Sequence, residues 1–404
     1  MQIVRMAESD TIKGRGRKGQ PESDSCAAKM AGAACGLAVD IGTTTVVMGL
    51  YDLDSGERLA GLQEKNSQTL LGADVMMRLM HCQRGSQHTL EQRIREQIQN
   101  MAEQLCDGFC ALEQIKTIAV VGNTTMCHIF LGQDTSGLAG SPFRPAYRGI
   151  NRCKGSDIAL QEMKDTDVIV PAGIDAHVGA DAVSMICALQ LPETKETILA
   201  VDIGTNAEIA LSCKGEISVC SAPAGPAFEG AQISQGMRGE PGAIAGMHIA
   251  RQSGNILLEV IPDDRRNVYP VRGICGSGLI DSIASLRQSG ILQPDGYLLC
   301  NPEEADRLGI PGYLRERITE KGFLVYLDPG GQQVCLTQKD IRQFQLAKAA
   351  VQAGIRMLLE QKGLALQQVD RIYIAGVFGG HISKKSAVLT GLFPKRNHGS
   401  LLPS

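Results

Sequence analysis

Short apolar runs punctuated by Gly, Asp, Asn and Thr recur along this chain, and between them apolar residues return at every third or fourth position. The runs at 37–41, 46–53, 115–121, 167–171, 198–203, 208–213 and 371–374 read as buried strands. Leu90, Ile94, Ile98, Met101 and Leu105 trace one helix face, starting near Thr89, where Thr-x-x-Gln predicts a capping box. Ile341, Phe344, Ala347, Val351, Ile355 and Leu358 trace another, over 337–362, and further helices are expected at 72–83 and 276–289. Residues 173–181 are poor in large side chains and read as a helix suited to close crossing. Strands alternating with helices predict an α/β architecture.

One strand pattern is written twice. Leu37-Ala38-Val39-Asp40-Ile41-Gly42-Thr43 recurs letter for letter as Leu199-Ala200-Val201-Asp202-Ile203-Gly204-Thr205, each followed by a second apolar strand. Each copy reads as a hairpin with an acid and backbone N–H groups at its tip. Two such tips suit a polyphosphate: amides around residues 42–45 and 204–206 contact its oxygens, and Asp40 and Asp202 hold Mg²⁺ through water, because that ion keeps most of its hydration shell. Duplicated scaffolding is the alternative. Three more glycine-rich junctions follow strands or open helices: Gly225 to Gly230, Gly276-Ser277-Gly278, and Ala375-Gly376-Val377-Phe378-Gly379-Gly380. The last lets backbone lie against a flat ring such as adenine, with a structural tight turn as the other reading.

Composition narrows the class without naming it. In 404 residues, 43% are hydrophobic and 21% charged, as in ordinary globular proteins, and a formal charge of -3 offers no basic surface for nucleic acid. No apolar run reaches membrane-span length and no signal peptide opens the chain, so a cytoplasmic protein is expected. The 13 cysteines form no CxxC, which points to reduced packing thiols. Residues 1–35 read as a disordered leader, 36–192 and 193–394 as two lobes, and 395–404 as an atypical short tail.

Phosphate hairpin, connecting helix, second phosphate hairpin, second connecting helix, adenosine turn: this order resembles the actin, sugar-kinase and chaperone ATPase superfamily. That resemblance implies two ribonuclease-H-like lobes with Mg-ATP in the cleft between them. Within it, GLAVDIGTTTV, NSQTLLGADVMMRL, VVGNTTMCHIFLG, VDIGTNAEIAL, SAPAGPAFEGAQI, ICGSGLIDSIASL, QLAKAAVQAGI and IYIAGVFGG are similar to the reductive activators of corrinoid proteins. The resemblance implies ATP-driven reduction of a cobalt(II) corrinoid protein to cobalt(I) in support of methyl transfer. It carries the first phosphate loop onto Asp40, Gly42, Thr43 and Thr44, and the second onto Asp202, Gly204, Thr205 and Asn206. It puts the adenosine turn at Gly376, Gly379 and Gly380, and the cleft or its back wall at Gly225, Gly276 and Ser277. Glu208 is a candidate for orienting the attacking water.

The chain departs from the family twice: it has no cysteine set for the iron-sulfur domain that better-known members carry, and after Pro394 it leaves the family pattern. The expectation is therefore an activator with no iron-sulfur cluster of its own, supplied with electrons by an external low-potential donor such as a ferredoxin. A homodimer is compatible with the sequence. A small-molecule kinase or nucleotide-dependent binding module on the same fold, and an inactive truncated member, stay open as alternatives.

Overall fold

The computed structural model describes the backbone of residues 2–5 and all atoms of residues 34–250, 255–262, 271–376 and 381–394. The candidate residues Gly379 and Gly380, Cys26 and the tail from 395 onward lie outside the described residues. The chain divides into two compact units, Asp10–Leu191 on one side and Pro192–Ser404 with Met1–Ser9 on the other.

Strand β1 (Gln2–Arg5) belongs to the second unit, where it pairs in parallel with the strand Arg371–Ala375. This corrects the expected leader over these four residues. Ile3 and Val4 make a short apolar strand that a polar average over 35 residues conceals.

The unit Asp10–Leu191 is built on β2 (Cys35–Ile41), β3 (Thr45–Asp52), β4 (Arg58–Lys65), β5 (Ile115–Gly122), β6 (Asn151–Lys154) and β7 (Asp167–Val170), in the sheet order β4-β3-β2-β5-β7-β6. β2, β3 and β4 form an antiparallel meander, whereas β5 adds to β2, and β7 to β5, in parallel. Inward residues of these strands close one core with Leu90, Ile94, Ile98 and Met101 of a long helix. Those four are fully buried at helical spacing, so burial of one apolar stripe is what holds the helix down. Helix α1 is Val75–His81 and this longer one, α2, is Gln87–Cys106, starting two residues before Thr89. Ser86 is its N-cap and makes no side-chain cap hydrogen bond, so the expected capping box does not form. Helix α3 (Thr124–Leu131) follows β5, and α4 (Ala180–Ala188) follows β7. Residues 173–179, expected to be helical, form a turn in which Asp175 and Val178 bridge, and the helix begins only at Ala180.

The unit Pro192–Ser404 repeats the same plan. β8 (Thr197–Ile203), β9 (Ala207–Cys213) and β10 (Glu216–Ala222) form the meander, and the second repeat of the heptapeptide falls on β8 as the first falls on β2. Two smaller sheets follow: β11 (Ala243–Ile249), β12 (Ile256–Val260) and β13 (Gly273–Ile274), then β14 (Ile318–Thr319), β15 (Gly322–Leu327) and β16 (Gln333–Leu336). β17 (Arg371–Ala375) lies parallel to β8 with Ala375 opposite Asp202. Helix α5 (Gly276–Gln288) packs along β11, α6 (Gln338–Gln361) covers the meander and α7 (Lys384–Leu389) rests on α5. Both sheets thus place a hairpin next to a parallel strand, the ribonuclease-H-like arrangement that the family resemblance implies. No helix among the described residues is long and apolar enough to cross a membrane.

Candidate functional site

In the unit Asp10–Leu191 the strand register puts Asp40 one residue from the end of β2, between Val47 of β3 and Val121 of β5, with its side chain exposed. The loop beyond it is tied down through its carbonyls. Asn66 donates through Nδ2 to the Gly42 carbonyl (2.8 Å) and through its backbone N–H to Thr44 O (2.9 Å), and the Arg78 guanidinium donates to Thr43 O. Asn123, the N-cap of α3, donates to Thr43 Oγ1 (3.1 Å). Gly42 is required here, because a Cβ would meet Thr45 O at 2.6 Å. A loop whose carbonyls all point into the protein presents its amides as the groups an anion can meet.

Asp181 stands in the first turn of α4. The preceding Gly179 packs so closely on the β5–α3 turn that a Cβ would lie 2.5 Å from both Gly122 O and Thr124 N. Burial pushes the Asp181 carboxyl up to about 6, against the opposing pull of amide hydrogen bonds from Ala182, its own N–H and Gly179. Burial also raises the Cys127 thiol, with Asp181 and Asp40 adding to it, which sets all three groups in one neighbourhood.

In the other unit, Asp202 stands one residue from the end of β8, opposite Glu208 of β9, and Glu208 in turn faces Ser221 of β10. Direct partners in an antiparallel ladder share a face. Glu208 is buried and accepts from Ser221 Oγ at 3.1 Å. The tip is closed by Gly204 N–H donating to Asn206 O (2.9 Å), and Gly225 N–H donates to Thr205 O (2.8 Å), which brings the Gly225 turn onto the loop. Gly225 has φ 75° with open space where a Cβ would be. Thr205 Oγ1 donates to Glu229 Oε1 (2.8 Å), and the other oxygen, Glu229 Oε2, is buried with no hydrogen-bond partner. Gly376, in the turn after β17, has φ 80° and sits against Asp202: a Cβ would meet Oδ1 at 2.2 Å. Asp202, Thr205, Glu229, Gly225 and Gly376 are therefore one constellation.

Gly276 and Ser277 open α5 as expected, but the Ser277 hydroxyl donates to Ala245 O of β11 (2.9 Å), and Gly278 lies against Ile244 O. Ser285, two turns on, donates to Met247 O (2.9 Å). Between these clamps, at a bulge in β11, Gly246 leaves a notch on which Glu259 Oε2 and Asp281 Oδ2 converge, 3.0 and 3.2 Å from where its Cβ would stand. The notch belongs to a cavity of about 380 Å³, with Met247 and Leu258 on one wall and Ser383, Ser386 and Leu389 of the α7 region on another.

Sequence reasoning missed Arg78, Glu229 and Asp181, although all three fall in segments it singled out. An arginine flanked by Met76, Met77, Leu79 and Met80 was the available signal for the first. The other two carried none beyond an acid within two residues of a glycine. Among the described residues no group of three or more His, Cys, Asp or Glu is placed to hold a metal ion by itself.

Comparison with known proteins assigns this architecture. Residues 35–194 match the model described as the RACo middle region, and residues 196–401 the one described as the C-terminal domain of RACo, the ASKHA domain. The chain is 34% identical over 373 residues to "Corrinoid activation enzyme RamQ" of Eubacterium limosum, covering 89% of this chain and 60% of that protein. It is 26% identical over 388 residues to "[Co(II) methylated amine-specific corrinoid protein] reductase" of Methanosarcina barkeri, covering 89% and 66%. A solved "Reductive activator for corrinoid,iron-sulfur protein" superposes with a TM-score of 0.78 at 33% identity, over 91% of this chain and 57% of that one. The chain spans less than two thirds of the length of each of these relatives. With nearly its whole length matched by two successive family models, the chain belongs to the RACo family, as its middle region and C-terminal ASKHA domain.

Proposed function

We propose that the chain binds Mg-ATP and uses it to drive reduction of a cobalt(II) corrinoid protein to cobalt(I), with electrons from a separate low-potential donor, restoring the corrinoid protein to methyl transfer. The names of its relatives support the reaction class. The observation that carries the nucleotide reading is the constellation around Asp202: an acid at a hairpin tip, a glycine at φ 80° against it, and an orphaned carboxylate oxygen on Glu229 beside Thr205. A buried acceptor without a donor fits a site completed by a hydrated cation or a water molecule.

In this reading the amides of residues 42–44 and 205–206 bind phosphate oxygens, and Asp40 and Asp202, each at its own unit's hairpin tip, are the acids that hold Mg²⁺ through water. The ion, when bound, neutralises phosphate charge. Glu229 is better placed than Glu208 to orient a water at the second loop, because Glu208 is engaged by Ser221 whereas one Glu229 oxygen has no partner. The cavity beside Gly246 suits the nucleoside. Its α7 wall begins seven residues after Gly376, its leucines and methionine suit a purine face, and the carboxylates of Glu259 and Asp281 accept hydrogen bonds from ribose hydroxyls. One-electron transfer costs about 1.4 kcal/mol for each ~60 mV uphill, so a nucleotide-dependent state that binds one cobalt form several kcal/mol more tightly offsets a few hundred millivolts.

The test is isothermal titration of Mg-ATP into the wild type, Asp40→Ala and Asp202→Ala. Affinity is expected to fall at least tenfold in both variants. Unchanged affinity in both sinks the assignment.

A further inference from the structure

Beneath the first phosphate loop lies a cation held entirely by neutral groups. Arg78 is fully buried, and its guanidinium donates to Gly72 O (3.0 Å), Gln68 Oε1 (3.1 Å), Met126 Sδ (2.8 Å) and Thr43 O. Among the described residues no carboxylate comes within ion-pair distance of it. Asp74, whose charge attracts it from farther off, is occupied in capping α1 through Met77 N–H (2.8 Å). Desolvation outweighs that attraction and lowers the guanidinium to about 10. Burying a charge without a counter-charge is costly, and a methionine of similar length would fill the space without that cost. The contact with Thr43 O says where a counter-charge would sit: across the loop whose carbonyls point towards Arg78 and Asn66.

We propose that Arg78 is the fixed positive charge of the first phosphate loop, a positioning residue whose counter-ion is the polyphosphate bound by the amides of residues 42–44. The inference rests on reading those residues as a phosphate loop. Arg78 then acts twice: its fork holds the Thr43 carbonyl inward, and its charge favours ligands in proportion to the negative charge they bring. Four of its five N–H donors are already engaged within the protein, and this second action works through space and touches no substrate atom.

The two actions separate experimentally. At an effective dielectric near 20 and a separation of about 10 Å, one unit charge acting on another is worth on the order of tenfold in affinity. Mg-ATP and Mg-ADP are titrated into the wild type, Arg78→Met and Arg78→Lys at low and high salt. In Arg78→Met the ATP-to-ADP affinity ratio is expected to fall by about tenfold and to lose much of its salt dependence. In Arg78→Lys, which keeps the charge and loses the fork, both ligands are expected to weaken while the ratio stays near that of the wild type. Equal weakening of ATP and ADP in Arg78→Met marks a purely structural arginine and overturns the proposal. Should that variant not fold, a collapsed ratio in Arg78→Lys overturns it and a retained ratio supports it. If the wild type binds neither nucleotide, the phosphate-loop reading falls and takes this one with it. ATP binding that depends on Asp40 with an unaltered ratio in Arg78→Met defeats only the role of Arg78.

Discussion

Gly376 and Asp202 cannot both keep their places if either changes size. The glycine's φ of 80° lies in the left-handed region, and the nearest atom to a side chain there is a carboxylate oxygen at 2.2 Å, so Gly376→Ala must move either the turn or the acid. We expect at least tenfold weaker Mg-ATP binding from this one methyl group, read by titration calorimetry, and an affinity equal to that of the wild type would contradict the constellation. Glu229→Gln is expected to slow ATP hydrolysis by tenfold or more while shifting the melting temperature little, since it alters a carboxylate with an unsatisfied oxygen. Glu208→Gln is the control, because that side chain is already hydrogen-bonded to Ser221. Asp181 adds a pH signature. Its folded-state value of about 6 lies above the ordinary aspartate value, so the folded state favours the protonated form. Its contribution is at its best below about pH 4 and is lost as pH rises through about 6. Without nucleotide or magnesium, Asp181→Asn should therefore melt higher than the wild type at pH 7 to 8, with the gap closing by about pH 4. A constant gap across that range would refute the assignment.

At the level of elements, the apolar periodicities carried most of the architecture. The strands under both copies of the heptapeptide, the α2 and α6 stripes and the β17 strand fall where the pattern predicts, because each buries a face against a single core and burial selects the pattern. The reading failed where the controlling contact is long-range or the side chains are small. Thr89 has the letters of a capping box, yet α2 begins at Gln87, two residues after Gly85 at φ 86°. Residues 173–179 are poor in large side chains, which suits a helix, but the chain there must approach Gly122 O and Thr124 N, and a turn allows that approach. A capping box does form at α6: Asp340, fully buried, accepts from Thr337 N–H (2.8 Å), Thr337 Oγ1 (2.8 Å) and Ser234 N–H (2.6 Å). Asp340→Ala strips three donors of their acceptor and should destabilise its unit by about 3 kcal/mol, which is roughly 6–12 °C in melting temperature for a unit of this size. Calorimetric melting checks this, and a loss below 2 °C would show that the cap is dispensable.

For the whole molecule, the duplicated hairpins and the eight collinear blocks made the family legible before any coordinates, and the two family models now span almost all of the chain. The site was half legible. Backbone-binding glycines and tip acids announce themselves by spacing, whereas Arg78, Glu229 and Asp181 are functional candidates only because of what surrounds them, and a sequence does not display surroundings. Reduction of a corrinoid protein stands as the proposal that joins these parts. Its most direct test is anaerobic: the purified chain is mixed with a cobalt(II) corrinoid protein from the same source and a low-potential reductant, and the corrinoid absorption spectrum is followed with and without Mg-ATP. The account predicts that the cobalt(II) band gives way to the cobalt(I) band only when ATP is present, and not with Asp202→Ala. A spectrum indifferent to ATP, from a chain that hydrolyses it, would contradict the proposal.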